Sequence, residues 1–112
     1  HGIEIAVAAR YKLPILYVVL NNGALGNVWL RAHQLGPVPS ELTTIPDHDF
    51  AGFARALGLN AETVRDPSEI GAAMERALAI EGPTLLDIKT DRAAPTPVYD
   101  FAEEARRWSY HE

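Results

Sequence analysis

The run ILYVVL (Ile15–Leu20) breaks off into Asn21, Asn22, Gly23, Ala24, Leu25 and Gly26. No polar residue alternates with the apolar ones, so a strand here is expected to be buried on both faces, as a central strand of a parallel sheet is. Such a strand needs helices above and below it, and that requirement restricts the fold more than any other feature of the chain.

The flanking patterns supply those helices. Ile3, Val7 and Tyr11 fall at i, i+4 and i+8, and alanines at 6, 8 and 9 keep that surface slim. The spacing predicts a helix lying on something flat through this face, ended by Pro14. A second helix is predicted from Gly26–Asn27 to about Gln34. Gly36, Pro37, Pro39, Ser40 and Pro46 then mark a loop. Phe50, Phe53, Ala54 and Leu57 give the next helix, with Asp47 or Asp49 as cap and Gly58 as stop. Ala61–Val64 reads as a short strand. Asp66 as N-cap, Pro67 at the first position and Glu69 completing a capping box start a helix whose apolar face is Ile70, Met74, Ala77 and Leu78. TLLDIKT (Thr84–Thr90) is a further buried strand. Asp100 and Glu103 are placed to cap a terminal helix carrying Phe101, Ala105 and Trp108. The order α-β-α-α-β-α-β-α predicts an α/β fold: an open, mostly parallel sheet with helices on both faces.

Composition narrows the functions. With 112 residues, 47% of them hydrophobic, the chain has enough apolar surface for one core, so wholesale disorder is excluded. Ten basic against fifteen acidic residues give −5 without a basic cluster, which argues against nucleic acid and against an anionic membrane surface. No cysteine is present, so thiolate catalysis, thiolate metal sites and disulfides are excluded, and a cytoplasmic location is expected. Leu13–Leu20 is too short to span a bilayer.

In open α/β sheets, ligands bind beyond the carboxyl ends of the strands, which is where Asn21, Asn22 and Gly23 stand. An asparagine carbonyl is a hard, neutral oxygen suited to Mg²⁺ or Ca²⁺, and it adds coordination without repelling a polyanion. Gly23 lets backbone approach a ligand. Gly26 leaves room at the start of a helix whose free N–H groups favour phosphate. Asn-Asn-Gly is also a plain turn sequence, although a hairpin would need a strand where Val28–Ala32 reads as helix. On the residues alone, turn and metal site both stand.

EIAVAARYKLPILYVVLNNGALG, with DHDFAGFARALG and EGPTLLDIKTD after it, resembles the diphosphate-binding domain of thiamine-diphosphate enzymes, the group of acetolactate synthase, benzoylformate decarboxylase and pyruvate decarboxylase. The resemblance runs from Glu4 to about Asp91 and divides the chain into 1–92, a partial diphosphate domain, and 93–112, a C-terminal segment with a short helix. It implies that Asn22 supplies a side-chain ligand to Mg²⁺ and Ala24 a backbone carbonyl, while Asn21 holds the turn. Asn22, Gly23, Ala24, Leu25, Gly26 and Val28 would then line the thiamine diphosphate, with Leu25 and Val28 towards the acyl pocket. For Val28, helix packing is the competing role.

The family carries a Gly-Asp-Gly some 25 residues or more before its asparagines, and here that position falls ahead of His1. The resemblance therefore implies a fold lacking its first strand, a principal Mg²⁺ ligand and the pyrimidine-binding domain. As a piece of a longer protein it would be inactive alone, with no catalytic residue of its own. The implied parent is a homodimer or homotetramer acting on a 2-oxo acid, its pyrimidine-binding domain on the same or another chain. Acetolactate synthases usually have Gln, Met and Trp at the positions of Leu25, Asn27 and Arg31, whereas the Asn-Asn-Gly-x-x-Gly spacing is closer to benzoylformate decarboxylase. The expectation is an acetolactate-synthase-like carboligase or decarboxylase. The alternatives are a benzoylformate-decarboxylase-like enzyme and a non-catalytic assembly module with a decayed cofactor site.

Other chemistry finds little support. His1, His33, His48 and His111 have no metal-ligand spacing, and His48 between Asp47 and Asp49 is better explained by a helix-capping loop. Neither a Gly-x-Ser-x-Gly elbow nor a P-loop occurs. Arg31 is a candidate for a substrate carboxylate, against the plainer role of an exposed helix arginine.

Overall fold

The computed structural model describes residues 2–35 and 39–94; the helix expected after Asp100 lies outside them. The chain divides into two units, residues 1–21 with 48–90, and residues 22–47 with 91–112.

The first unit is built on a three-stranded parallel sheet. Its strands are β1 (Leu16–Asn21), β2 (Asn60–Val64) and β3 (Thr84–Lys89), in the order β1-β3-β2. Leu16 pairs with Thr84 and Asn21 with Lys89 on one side of β3, and Asn60 pairs with Thr84 on the other. The central strand is thus β3, and its residues Thr84 to Ile88 are all buried. The expected central place of β1 is corrected: it lies at an edge among the described residues, with Val18 and Leu20 exposed. On that face Leu16 packs against the Val64, Leu86 and Ile88 cluster, but Val18 and Leu20 are left uncovered among the described residues, because the helix on that side sits over β2 and β3.

Helices cover both faces, as the alternation of elements predicted. On one, α4 (Ile70–Leu78) sets Ala73 and Ala77 against Val64, Leu86 and Ile88. Leu78, expected on that face, is exposed, and Ala73 takes its place. Alanine allows the helix axis to approach the sheet closely. Asp66 starts this region, but its carboxylate takes the Ser68 N–H at 2.8 Å rather than forming the capping box with Glu69. A 3₁₀ turn over Pro67–Glu69 precedes the helix.

On the other face, α1 (Ile5–Tyr11) and α3 (Phe50–Ala56) pack Ile5, Ala9, Phe50 and Ala54 on Tyr17, Val19, Ala61 and Leu85. Here the sequence reading chose the wrong stripe of α1. Ile3, Val7 and Tyr11 are exposed, Ile3 at 73%, and the buried contact is made by Ala8 with Ile5 and Ala9 beside it. Ile5 and the alanines make the contact, and Ile3, Val7 and Tyr11 face away. The helix ends at Lys12, whose φ of 49° is left-handed, two residues before Pro14. In α3 the Asp49 cap forms as expected, with Oδ1 accepting from Gly52 N at 2.7 Å.

In the second unit the described elements are α2 (Gly26–Leu35), a 3₁₀ turn over Ser40–Leu42, and an antiparallel bridge between Ala24 and Thr44.

Candidate functional site

The chain leaves β1 at Asn21 and turns into α2 within five residues. Gly23 makes that turn with φ of +60°, a conformation that costs a residue with a Cβ about 1–2 kcal/mol. Leu25 N donates to Thr43 O at 2.8 Å and Ile45 N to Gly23 O at 3.0 Å, so the turn is tied to the strand-like stretch that follows the loop. A Cβ on Gly23 would stand 3.4 Å from Arg92 Nη2, which brings a cation to the turn.

The asparagine pair divides its work. Asn22 Oδ1 accepts from Ala24 N at 3.1 Å, the local bond of an Asx turn. That occupies one lone pair of the amide oxygen and leaves the second. The Ala24 carbonyl accepts no hydrogen bond among the described residues. Two neutral oxygens with spare acceptor capacity therefore lie two residues apart, the donor chemistry that a hard divalent cation takes. Gly26 has a specific purpose here: a Cβ on it would lie 3.1 Å from Asn22 Nδ2, so it makes room for the Asn22 amide. Leu25 and Val28 are both exposed, at 48% and 56%.

Asn21 faces elsewhere. Its Nδ2 donates to the His48 carbonyl at 3.1 Å, across 27 positions of sequence. Lys89 Nζ donates to the same carbonyl at 3.0 Å and lies 2.9 Å from Asp87 Oδ2. This group within the sheet-bearing unit was not legible as a site. Its signal is an acid and a base two apart in an otherwise apolar strand, which puts both on one face.

The remaining candidates have plain roles. His33 Nδ1 is 2.8 Å from Trp29 O and its ring stacks on Trp29 at 4.0 Å, one turn apart on α2. The ring of His48 stands edge-on to Phe50 at 6.0 Å, next to the Asp49 cap. Arg31 is exposed. Among the described residues no three His, Cys, Asp or Glu side chains are grouped to hold a metal. No described helix is long and apolar enough to cross a membrane.

Comparison with known proteins agrees with this architecture. Residues 1–88 match the thiamine pyrophosphate enzyme C-terminal TPP-binding domain family. An acetolactate synthase of Arthrospira platensis is 32% identical over 80% of this chain and 16% of its own length. A benzoylformate decarboxylase of Pseudomonas aeruginosa is 30% identical over 79% of this chain and 17% of its own. The solved thiamine diphosphate-dependent 4-hydroxybenzoylformate decarboxylase of Rhodococcus jostii RHA1 superimposes with a TM-score of 0.67 at 30% identity, covering 78% of this chain and 16% of that one. The chain thus spans about one sixth of the length of these relatives. By the family match across most of its length, the chain belongs to the thiamine pyrophosphate enzymes and corresponds to their C-terminal cofactor-binding domain.

Proposed function

We propose that this chain holds the Mg²⁺ and diphosphate end of thiamine diphosphate in an acetolactate-synthase-like 2-oxo acid carboligase or decarboxylase. One observation carries the reading: the turn after β1 pairs an Asn22 amide oxygen with an Ala24 carbonyl that accepts no hydrogen bond among the described residues, at the entry to α2. Asn22 Oδ1 and Ala24 O would hold the cation, and the exposed N–H groups opening α2 would face phosphate oxygens. When bound, the cofactor supplies the electron sink that a 2-oxo acid needs to lose carbon dioxide. This chain's residues bind and orient it. Gly23 supplies the left-handed turn, Gly26 makes room for the Asn22 amide, and exposed Leu25 and Val28 offer apolar surface to the acyl side.

Diphosphate oxygens and water, with ligands from chain outside this sequence, would complete the octahedral shell that two neutral oxygens begin, and the pyrimidine-binding domain would come from the same or another polypeptide. Exposed Ile3, Val7, Tyr11, Val18 and Leu20 on the sheet-bearing unit support burial against such a domain or in a homodimer or homotetramer. Benzoylformate-decarboxylase-like chemistry is the alternative, supported by the Asn-Asn-Gly-x-x-Gly spacing.

The test is titration of the intact protein with thiamine diphosphate, with and without Mg²⁺, followed by Trp29 fluorescence. The expected result is saturable binding that needs Mg²⁺ and is lost in Asn22→Ala. Tight binding in Asn22→Ala overturns the role given to Asn22, and no binding in the intact protein overturns the reading and leaves the assembly module.

A further inference from the structure

The carboxyl end of the sheet holds a buried ion pair that the cofactor reading does not use. Asp87 is wholly buried in the middle of β3, and neither of its oxygens receives a hydrogen bond among the described residues. Lys89 Nζ, on a side chain only 14% exposed, is the charge set against it, at 2.9 Å from Oδ2. Replacing such a pair with apolar side chains of similar volume is often neutral or stabilising, so stability does not account for it. Its geometric effect is clearer. The buried carboxylate holds the ammonium where it donates to the His48 carbonyl at 3.0 Å. Asn21 Nδ2 donates to that same oxygen at 3.1 Å, so both of its lone pairs are used. Thr90 N donates in turn to Asn21 O at 3.0 Å.

Asn21, His48 and Thr90 have one thing in common. The chain leaves the sheet-bearing unit after Asn21, returns to it at His48 and leaves again after Thr90. Every passage of the backbone between the two units therefore starts or ends at a residue of this hydrogen-bonded group. A carbonyl held by two donors from two strands fixes where the segment 22–47 begins and where it ends.

We infer that Asn21 and Lys89, the latter oriented by Asp87, clamp the His48 carbonyl and so fix both ends of the segment that carries Asn22 to Val28. Lys89 and Asp87 are positioning residues, acting through the ends of that segment. The clamp rests on these contacts alone, whereas its effect on cofactor affinity rests on the function proposed above.

The test uses the intact protein and three variants. Lys89→Met keeps the stem and removes the ammonium. Asp87→Leu with Lys89→Met removes both charges, so that no buried carboxylate is left unpaired. Lys89→Arg keeps a donor. Two readouts are taken on each: hydrogen exchange of the Leu25 and Ile45 amides relative to the Leu86 amide, and thiamine diphosphate affinity in the presence of Mg²⁺. In the double variant and in Lys89→Met the Leu25 and Ile45 amides are expected to exchange about tenfold faster, Leu86 keeping its protection in the double variant, and affinity is expected to fall about tenfold, whereas Lys89→Arg is expected to keep both near the unsubstituted protein. A purely structural role would instead raise exchange at Leu86 as well. Unchanged exchange at Leu25 and Ile45 in the double variant overturns the clamp. Faster exchange with unchanged affinity overturns the positioning role. Absence of cofactor binding in the unsubstituted protein overturns the function proposed above, and the exchange ratio then decides the clamp by itself.

Discussion

Gly52 stands at the third position of α3, where glycine is a poor helix former. Replacing it with alanine would ordinarily stabilise the helix by about 1 kcal/mol. Here the added Cβ would lie 2.3 Å from Asp49 Oδ2 and 2.8 Å from Asp49 Cγ. The carboxylate that caps the helix, with Oδ1 2.7 Å from Gly52 N, must move aside. Loss of an aspartate cap costs about 1 kcal/mol, so Gly52→Ala is expected to be close to neutral. Asp49→Ala alone loses the cap and should cost about 1 kcal/mol; its 3.8 Å contact with Arg55 is exposed on both sides and adds little. In the double variant the clash disappears and the helix gain is realised, so stability returns to within about 0.5 kcal/mol of the starting protein. The signature is a coupling of about 1 kcal/mol between two residues that touch only through the cap. Urea titration followed by circular dichroism reads it as midpoint shifts at constant slope. If Gly52→Ala stabilises by its full helix propensity with Asp49 present, coupling is absent and the steric argument is refuted.

Two further predictions follow from contacts already described. Gly26→Ala places a Cβ 3.1 Å from Asn22 Nδ2, so helix stability should be kept while Mg²⁺-dependent cofactor affinity falls about tenfold; parallel thermal melts and titrations separate the two. Glu62 is held below its ordinary value of 4.5, first by its hydrogen bonds from Arg76 and against a smaller opposing effect of burial. A carboxylate depressed on folding contributes stability that is complete above its unfolded value and is lost as pH falls through the folded one. Melting temperature should therefore drop on acidification from about pH 5 to about pH 3, and Glu62→Gln should make that drop shallower, since it removes this one titration and leaves that of Asp66, also lowered, by Ser68. An unchanged slope in Glu62→Gln would count against the pairing.

The alternation of elements was legible because it depends on local signals: Asp49 as cap, Gly58 with its φ of +90°, and apolar runs of strand length. Which strand is central was not. Ile15–Leu20 and Thr84–Ile88 are both apolar, and hydrophobicity records that a surface avoids water without recording what covers it. On β3 the cover is neighbouring strands and helices of this unit, whereas Leu20 is 69% exposed. The α1 face failed for a related reason. Size marks Ile3, Val7 and Tyr11 as the contact, yet close helix–sheet approach selects Ala8 and Ala9 beside Ile5. At the candidate site, the glycines and asparagines announce themselves through side-chain chemistry. The partner of Asn21 is a backbone carbonyl 27 positions away, and a carbonyl carries no signature in sequence.

The strand order has a consequence for how the protein is made. Among the described residues, β1 and β2 form ladders only with β3, the last of the three to leave the ribosome. Until Thr84–Lys89 emerges, Leu16–Leu20 lacks the ladder partner it has among the described residues, while dozens of later residues are added at roughly 5–20 per second. These two ladders form late and over long sequence separation, both on one strand. During that interval the apolar residues of β1 and β2 wait for the one strand they share.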